Sequence, residues 1–216
     1  QPWAAGLFEQ VQAMADEMLT KGTRNEREAA LCYVLTGDRR YADAVRRLLL
    51  QYAREFETQR SKLNLKLQPE WGAWEAWGVH AWAYDLTYDT FSAEERQLVQ
   101  RWLRVVGRII IDDCNRMPTT PNLMFVMHFN TGLVGYCLGD KEIIDWVLND
   151  PGAFGPHVGG FYPVMDTMIK DGGFWYSERA AFGPVTEISP GNFVFYDLMQ
   201  LRLGSCEFDH VAVAMA

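Results

Sequence analysis

The stretch Tyr33-Val-Leu-Thr-Gly37-Asp38 decides the fold, because an apolar helical run ends there at a glycine and a new run begins at once on an aspartate. Glycine readily adopts the left-handed conformation that closes a helix, and aspartate can cap the helix that follows. The pattern recurs at Tyr136-Cys-Leu-Gly139-Asp140 and, without the aspartate, at Leu201-Arg-Leu-Gly204-Ser205. Repeated helix–stop–helix units predict stacked antiparallel helical hairpins, as in solenoids and α/α toroids.

Hydrophobic periodicity supports helices on both sides of these stops. Residues Asp38–Phe56 carry apolar side chains at spacings of three and four, which predicts an amphipathic helix. Ser92-Ala-Glu-Glu95 is a capping box that opens another helix. Alternation typical of strands is nearly absent. Further helices are expected at about 3–20, 26–36, 72–89, 123–138, 141–149, 158–170 and 192–203.

These patterns predict an all-α fold, built as an incomplete (α/α) toroid from antiparallel helical hairpins. We expect residues 1–216 to form a single toroid domain that is truncated at its C-terminal end. The reason is that the last segment, Val211-Ala-Val-Ala-Met-Ala216, stops without a helix cap or a polar tail.

Composition restricts the classes of function. With 216 residues, 49% of them hydrophobic and 13% aromatic, the chain can bury a large core. A net charge of -8 and a pI near 5.0 argue against a nucleic-acid binder, whose affinity needs a basic field. No apolar run approaches the ~18–20 residues of a membrane span. Four cysteines without CxxC spacing indicate neither a zinc nor a redox motif, and we expect no metal and no cofactor: Cys32, Cys114, Cys137 and Cys206.

The segment Asp171-Gly-Gly-Phe-Trp-Tyr-Ser-Glu178-Arg179 has the composition of a sugar-binding rim. Two aromatics, a phenol, a carboxylate and a guanidinium directly follow a double glycine, which allows the chain to turn sharply. Flat aromatic rings beside charged hydrogen-bonding groups suit a pyranose. Trp175, Glu178 and Arg179 are therefore candidate substrate-binding residues. The alternative is that Phe174 and Trp175 close the end of a helical core.

The run Trp71-Gly-Ala-Trp74-Glu-Ala-Trp77-Gly-Val-His80-Ala-Trp82 holds four tryptophans. On a helix, Trp71 and Trp74 lie along one side, which Trp77 and His80 could extend. This side could form a stacking wall for sugar rings or simply belong to the core. His80 is a candidate substrate contact or a hydrogen-bonded helical histidine. The preceding segment Arg60–Lys66 is basic, and its Arg60 and Lys66 are either substrate contacts or part of an ordinary solvated loop.

His128-Phe-Asn130 is a second candidate site. The two polar residues stand two positions apart, so they do not share a helix face, but both can reach a pocket at the N-terminal end of their helix. A buried asparagine needs hydrogen-bond partners that a helix interior seldom offers. Ligand contact and a structural bridge are therefore both open for Asn130 and for His128.

In their order along the chain, these motifs resemble the α/α-toroid polysaccharide lyases, the superfamily of heparinase II/III-like and alginate-lyase-like enzymes. The resemblance covers most of the chain. It is carried by the hairpin Ala29–Phe56, by Ala83-Tyr84-Asp85 followed by Phe91-Ser-Ala-Glu-Glu-Arg96, by His128-Phe-Asn130 before Leu138-Gly139-Asp140, and by Asp171-Gly-Gly-Phe-Trp-Tyr-Ser-Glu178.

The resemblance implies a secreted or periplasmic lyase that cleaves an acidic, uronate-containing polysaccharide by β-elimination. In that superfamily an Asn or His on the helix matching 123–138 engages the uronate carboxylate, which here implies Asn130, helped by His128 or Arg179. A tyrosine downstream of the Asp-Gly-Gly-like turn acts at the scissile bond, which implies Tyr176 first and Tyr162 second. Many members place that tyrosine where this chain has Phe182, so the position of the catalytic tyrosine stays open.

Two other functions fit part of the pattern. An α/α-toroid glycoside hydrolase would use two carboxylates, for which Asp85, Asp171 and Glu178 are available, but the Asn/His pair and the basic loop would then have no role. A non-catalytic carbohydrate-binding helical module would instead use the tryptophan-rich face. Only elimination yields an unsaturated product that absorbs in the ultraviolet.

Overall fold

Helices make up most of the described structure. The computed structural model describes residues 2–59, 73–116, 121–170, 174–177 and 180–184. Within these ranges the α-helices, in chain order, are α1 Pro2–Lys21, α2 Glu26–Thr36, α3 Arg39–Gln59, α4 Ala73–Leu86, α5 Ala93–Cys114, α6 Pro121–Leu138, α7 Lys141–Asn149 and α8 Phe161–Met168. The prediction of a mainly helical fold is confirmed here, while the helix expected at 192–203 lies outside the described residues.

A small sheet was not predicted. The strands β1 Ile169–Lys170, β2 Phe174–Ser177 and β3 Ala180–Pro184 form an antiparallel sheet in the order β1-β2-β3. The helix expected at 158–170 therefore begins at Phe161 and ends at Met168. Consecutive aromatic residues have a high β propensity, and this propensity outweighs the lack of alternation in β2.

The two helix stops have the expected geometry. Gly37 has φ 74° and its N–H donates to the Tyr33 carbonyl at 2.8 Å, while Gly139 has φ 62°. The carboxylate of Asp38 accepts the Arg40 N–H at 3.0 Å, and that of Asp140 accepts the N–H of Ile143 at 3.2 Å. The prediction that helices end at Gly37 and Gly139 and restart on aspartates is confirmed. Gly204 lies outside the described residues.

The predicted capping box is also present. The Ser92 N–H donates to the Glu95 carboxylate at 2.9 Å, and the Glu95 N–H donates to Ser92 Oγ at 3.3 Å. The same carboxylate accepts from Arg46 Nε of α3 at 2.9 Å. This guanidinium holds the pKa of Glu95 below its usual range. The capping box thus also links α3 to the start of α5.

The chain packs as two compact units, one comprising Gln1–Lys66 with Ala76–Val106 and the other Leu67–Glu75 with Gly107–Ala216. In each, fully buried apolar side chains contribute roughly 1.5–3 kcal/mol apiece. The first core includes Tyr41, Val45, Leu49, Tyr84, Val99 and Leu103, and the second includes Ile110, Val134, Ile143, Val147 and Val164. A toroid built from both units stays a prediction. None of the helices in the described ranges is long and apolar enough to cross a bilayer.

Each unit also contains a buried thiol. Cys32 of α2 is inaccessible to solvent, and Cys114 at the end of α5 lies with its Sγ 3.8 Å from Met127 Sδ. Burial raises the pKa of both thiols. Both behave as small apolar core residues.

Helices α6 and α7 approach closely at a glycine, which allows a test of the packing. A Cβ on Gly135 would lie 2.8 Å from Ile143 Cγ2 and 3.2 Å from Ile143 Cβ. We therefore expect Gly135→Ala to lower the free energy of unfolding by about 1–3 kcal/mol in urea titrations, because a β-branched side chain adjusts poorly.

Gly6 in α1 is the matched control for this substitution, since a Cβ there would meet nothing within 4 Å in the described part of the chain. Gly6→Ala should leave stability unchanged or raise it by up to about 1 kcal/mol, through the higher helix propensity of alanine. If Gly135→Ala behaved like Gly6→Ala, the close approach of α6 and α7 would be refuted.

Candidate functional site

His128 is enclosed by α7 and the turn that follows it. Its side chain is 2% exposed, and its ring stacks on Trp146, with centroids 3.9 Å apart and planes 8° apart. Its Nε2 makes a long contact of 3.4 Å with Asp150 Oδ2. The imidazole is thus in contact through one face and one edge, so it is held in a fixed orientation.

Asp150 accepts two backbone hydrogen bonds from the turn after α7. Its Oδ1 accepts the Gly152 N–H at 3.2 Å, and its backbone carbonyl accepts the Gly160 N–H at 2.8 Å. Gly152 has φ 81°, a left-handed conformation that side chains disfavour. A Cβ on Gly159 would lie 2.3 Å from the Asp150 carbonyl oxygen. The sequence of this turn therefore permits a backbone packing that other residues would block.

Asn130 is 5% exposed and lies on α6 about two and a half turns after the first residue of the helix, Pro121. That Asn130 and His128 reach a pocket at the N-terminal end of this helix stays a prediction. Its Nδ2 donates to the Val126 carbonyl at 2.9 Å, within the same helix. This bond uses one of the two amide hydrogens, so one remains for another acceptor. The adjacent Thr131 has a buried hydroxyl that finds no hydrogen-bond partner among the described residues. Among the described residues, this part of α6 thus retains hydrogen-bonding capacity that no partner uses.

Tyr162 lies near the start of α8, in the same unit as Asn130. It is half-buried, and its ring meets that of Phe161 edge-on, at a centroid distance of 5.3 Å and an interplanar angle of 74°. Phe161 itself is 2% exposed. The buried neighbour anchors the start of α8, and Tyr162 is the more exposed of the two residues.

Eight of the predicted site residues are described only in part or not at all. Trp175 pairs with Ile169 of β1, and Tyr176 pairs with Ala181 of β3. The backbone of Trp74 belongs to α4. The side chains of Trp74, Trp175 and Tyr176 lie outside the described part of the chain. So do the whole residues Arg60, Lys66, Trp71, Glu178 and Arg179.

His80 belongs to a buried cluster in the first unit. Its Nδ1 lies 2.7 Å from Glu26 Oε1, and the two side chains are 10% and 4% exposed. Its ring lies 5.0 Å from that of Tyr52 and 5.6 Å from that of Trp102. Burial opposes ionisation of Glu26, yet its pKa stays below the usual range because His80, and more weakly Arg24, stabilise the carboxylate. These contacts favour the structural alternative for His80 over substrate contact.

The contact between Glu26 and His80 should be visible in the pH dependence of stability. Because the pKa of Glu26 is lowered in the folded state, the pair stabilises the fold above the ordinary pKa of glutamate, and this contribution is lost as the pH falls through the lowered value. We expect Glu26→Gln to cost about 1–3 kcal/mol of unfolding free energy at neutral pH. Urea titrations should show a smaller cost at acidic pH, where wild type also loses the charge.

Glu17→Gln on α1 is the control, because Glu17 pairs with Lys21 on the surface and such a pair contributes little. An equal effect of Glu26→Gln and Glu17→Gln would show that the His80–Glu26 pair does not stabilise the fold.

Sequence reasoning missed the partners of both histidines. Trp146 and Asp150 were not singled out, although Asp150-Pro151-Gly152 directly after a helical run is a turn signal that could have drawn attention to the aspartate. Glu26 and Tyr52 were treated only as members of helices. Nothing in local spacing indicates that they meet His80.

Comparison with known proteins finds sequence similarity to two proteins named as alginate lyases. The chain is 27% identical over 168 residues to an alginate lyase of Stenotrophomonas maltophilia, covering 72% of this chain and 22% of that protein. It is 25% identical over 171 residues to an exo-oligoalginate lyase of Saccharophagus degradans, covering 73% of this chain and 23% of the relative. The chain thus spans less than a quarter of the length of these relatives. No protein-family model matches it. The similarities support a relationship to the polysaccharide lyases, a class of carbon–oxygen lyases.

Proposed function

We propose that this chain is part of a polysaccharide lyase that cleaves a uronate-containing polysaccharide, of the alginate type, by β-elimination. The observation that carries the proposal is its similarity to two proteins named as alginate lyases, over almost three quarters of its length. The helical hairpins fit the incomplete α/α toroid that we propose as its architecture. We further propose that the protein is exported, since such polymers lie outside the cell.

The proposed reaction breaks the C4–O bond of a 4-linked uronate. A base removes the C5 proton, the electron pair left behind forms the C4=C5 double bond, and the bond between C4 and the glycosidic oxygen breaks, so that this oxygen leaves on C1 of the neighbouring sugar. An acid then protonates that leaving oxygen. Removal of the C5 proton places negative charge on the adjacent carboxylate, so a group that neutralises the carboxylate lowers the barrier.

Asn130 is the proposed neutralising group. The amide hydrogen that remains after the bond to Val126 can be donated to a uronate oxygen. A fixed donor in a buried site is more effective than one in water, because it needs no reorganisation when the charge develops. The His128 ring is stacked on Trp146 and its Nε2 contacts Asp150, so we give it a supporting role. Arg179 is the proposed cationic helper.

A tyrosine is the proposed acid and base, with Tyr176 as first choice and Tyr162 as second. The position of Tyr162 supports the second choice, because this half-buried residue belongs to the same unit as Asn130 and stands at an anchored helix start. Proposed substrate contacts outside this centre are Arg60, Lys66, Trp71, Trp74, Trp175 and Glu178, which would bind the acidic chain by charge and by stacking. His80 is the weakest member of the proposed set, given its pairing with Glu26.

Incubation with a panel of polymannuronate, polyguluronate, polygalacturonate and neutral mannan tests the proposal. We expect ultraviolet absorbance from the unsaturated uronate to grow with one or more of the acidic polymers and never with mannan. New reducing ends without absorbance would instead identify a hydrolase. Binding without either product would identify a non-catalytic module, and both outcomes would refute the lyase.

A further inference from the structure

Asp150 contacts α6 and the start of α8 at the same time. Its Oδ2 meets His128 Nε2 of α6 at 3.4 Å, while its backbone carbonyl holds the Gly160 N–H at 2.8 Å. Gly160 directly precedes α8, and its own carbonyl accepts the Val164 N–H at 3.0 Å. The residue therefore joins a side-chain contact on α6 to the first hydrogen bonds of α8.

The connection that Asp150 makes between α6 and α8 is tightly packed. A Cβ on Gly152 would lie 2.1 Å from the Gly155 carbonyl oxygen, and one on Gly160 would lie 2.7 Å from that of Val147. On the α6 side, the stack with Trp146 fixes the His128 ring against which the carboxylate rests. A close-packed backbone and a fixed ring leave few alternative arrangements, so a shift of Asp150 would be transmitted to both helices.

The two elements joined by Asp150 carry the groups of the proposed reaction. Asn130 is on α6, and Tyr162 is on α8. Helix α8 leads directly into β1, whose Ile169 pairs with Trp175 of β2, the strand that contains Tyr176. Either candidate tyrosine therefore belongs to the segment that begins at α8.

We infer that Asp150 is a positioning residue, which holds the amide of Asn130 at a fixed position relative to the tyrosine-bearing segment that begins at α8. The inference rests on the proposed function and adds to it a residue that does not touch the substrate. The expected effect of Asp150 on the rate follows from the sensitivity of catalysis to geometry, because a misplacement of about 1 Å can cost about 100-fold in rate.

A double-mutant cycle distinguishes positioning from a general structural role. Asp150→Ala is expected to lower kcat by about 10–100-fold with little change in KM. In the Asn130→Ala background the same change should cost less than about threefold, since the amide to be positioned is absent. Equal losses in both backgrounds would overturn the inference. Asp145→Ala is the control, because Asp145 is exposed on α7 and bonds only to Asn149 among the described residues.

A measurement without substrate separates this inference from the proposed function. In protein labelled with 3-fluorotyrosine, the Tyr162 resonance, assigned by its loss in Tyr162→Phe, should shift in Asp150→Ala and in His128→Gln, but not in Asp145→Ala. An unchanged Tyr162 resonance in folded Asp150→Ala would overturn the link to α8. If Asp150→Ala does not fold, Asp150→Asn, which preserves volume, replaces it in both experiments. Absence of elimination by wild type would refute the proposed function alone, because the fluorine spectra still test the link.

Discussion

Asn130→Ala is expected to lower kcat for elimination by two or more decades while the protein keeps its fold. Loss of one oxyanion-type donor costs about 100–1,000-fold, or about 2.7–4 kcal/mol of transition-state stabilisation. Folding should be spared, because the hydrogen bond that is lost joins Asn130 to its own helix and alanine is the strongest helix former. The measurement is the initial rate of ultraviolet absorbance on the preferred polyuronate, with unfolding followed by circular dichroism.

Asn130→Asp is the informative companion variant. It preserves the size of the side chain but replaces the donor with a carboxylate, which would repel the uronate, so its rate should be no higher than that of Asn130→Ala. If Asn130→Asp were more active than Asn130→Ala, the donor role would be wrong. A wild-type rate for Asn130→Ala would reduce Asn130 to a bridge within α6.

Tyr176→Phe is expected to abolish elimination without loss of thermal stability. The substitution keeps the aromatic ring and removes only the hydroxyl, so β2 should keep its pairing with β3 while the proton carrier is lost. General acid–base catalysis contributes typically 100–10,000-fold, and a tyrosine that serves in both proton transfers should lie at the upper end of that range, about 10,000-fold. Rates are measured as for Asn130, and melting by circular dichroism provides the stability comparison.

Tyr162→Phe is the matched comparison, since it makes the same chemical change on α8. If Tyr176 is the acid and base, Tyr162→Phe should retain most of the activity. If Tyr162 is the acid and base, Tyr162→Phe should abolish elimination and Tyr176→Phe should retain most of the activity. Wild-type rates in both would place the acid and base outside these two residues. Loss of rate together with a lower melting temperature in Tyr176→Phe would instead show that its hydroxyl supports the fold.

The features that sequence predicted well are local ones. Gly37, Gly139 and the Ser92–Glu95 capping box act within a few residues of chain, so their geometry follows from side-chain type and spacing. The contact between His128 and Asp150 spans 22 residues, and no periodicity reports which face of α6 will meet the turn after α7. Strand β2 was missed because its aromatic run was interpreted as a sugar-binding rim and not as a strand with paired backbone.

The same limit applies to the candidate site. Asn130 and His128 were selected as polar residues in an apolar helix, which is a local signal of buried hydrogen bonding. Their burial and their different surroundings depend on α7 and on residues elsewhere in the fold. Sequence therefore identified the helix that carries the proposed chemistry, but not the aspartate that holds its histidine.

Alkylation of the two buried thiols described above can report how fast each unit opens. Cys32 lies in the first unit and Cys114 in the second, and burial raises the pKa of each thiol, so neither should react with an alkylating reagent in the closed state. Modification then requires the surrounding helices to open. Peptide mapping of alkylated protein over time would therefore measure the opening rate of each unit separately, and would show whether the two open as one cooperative body.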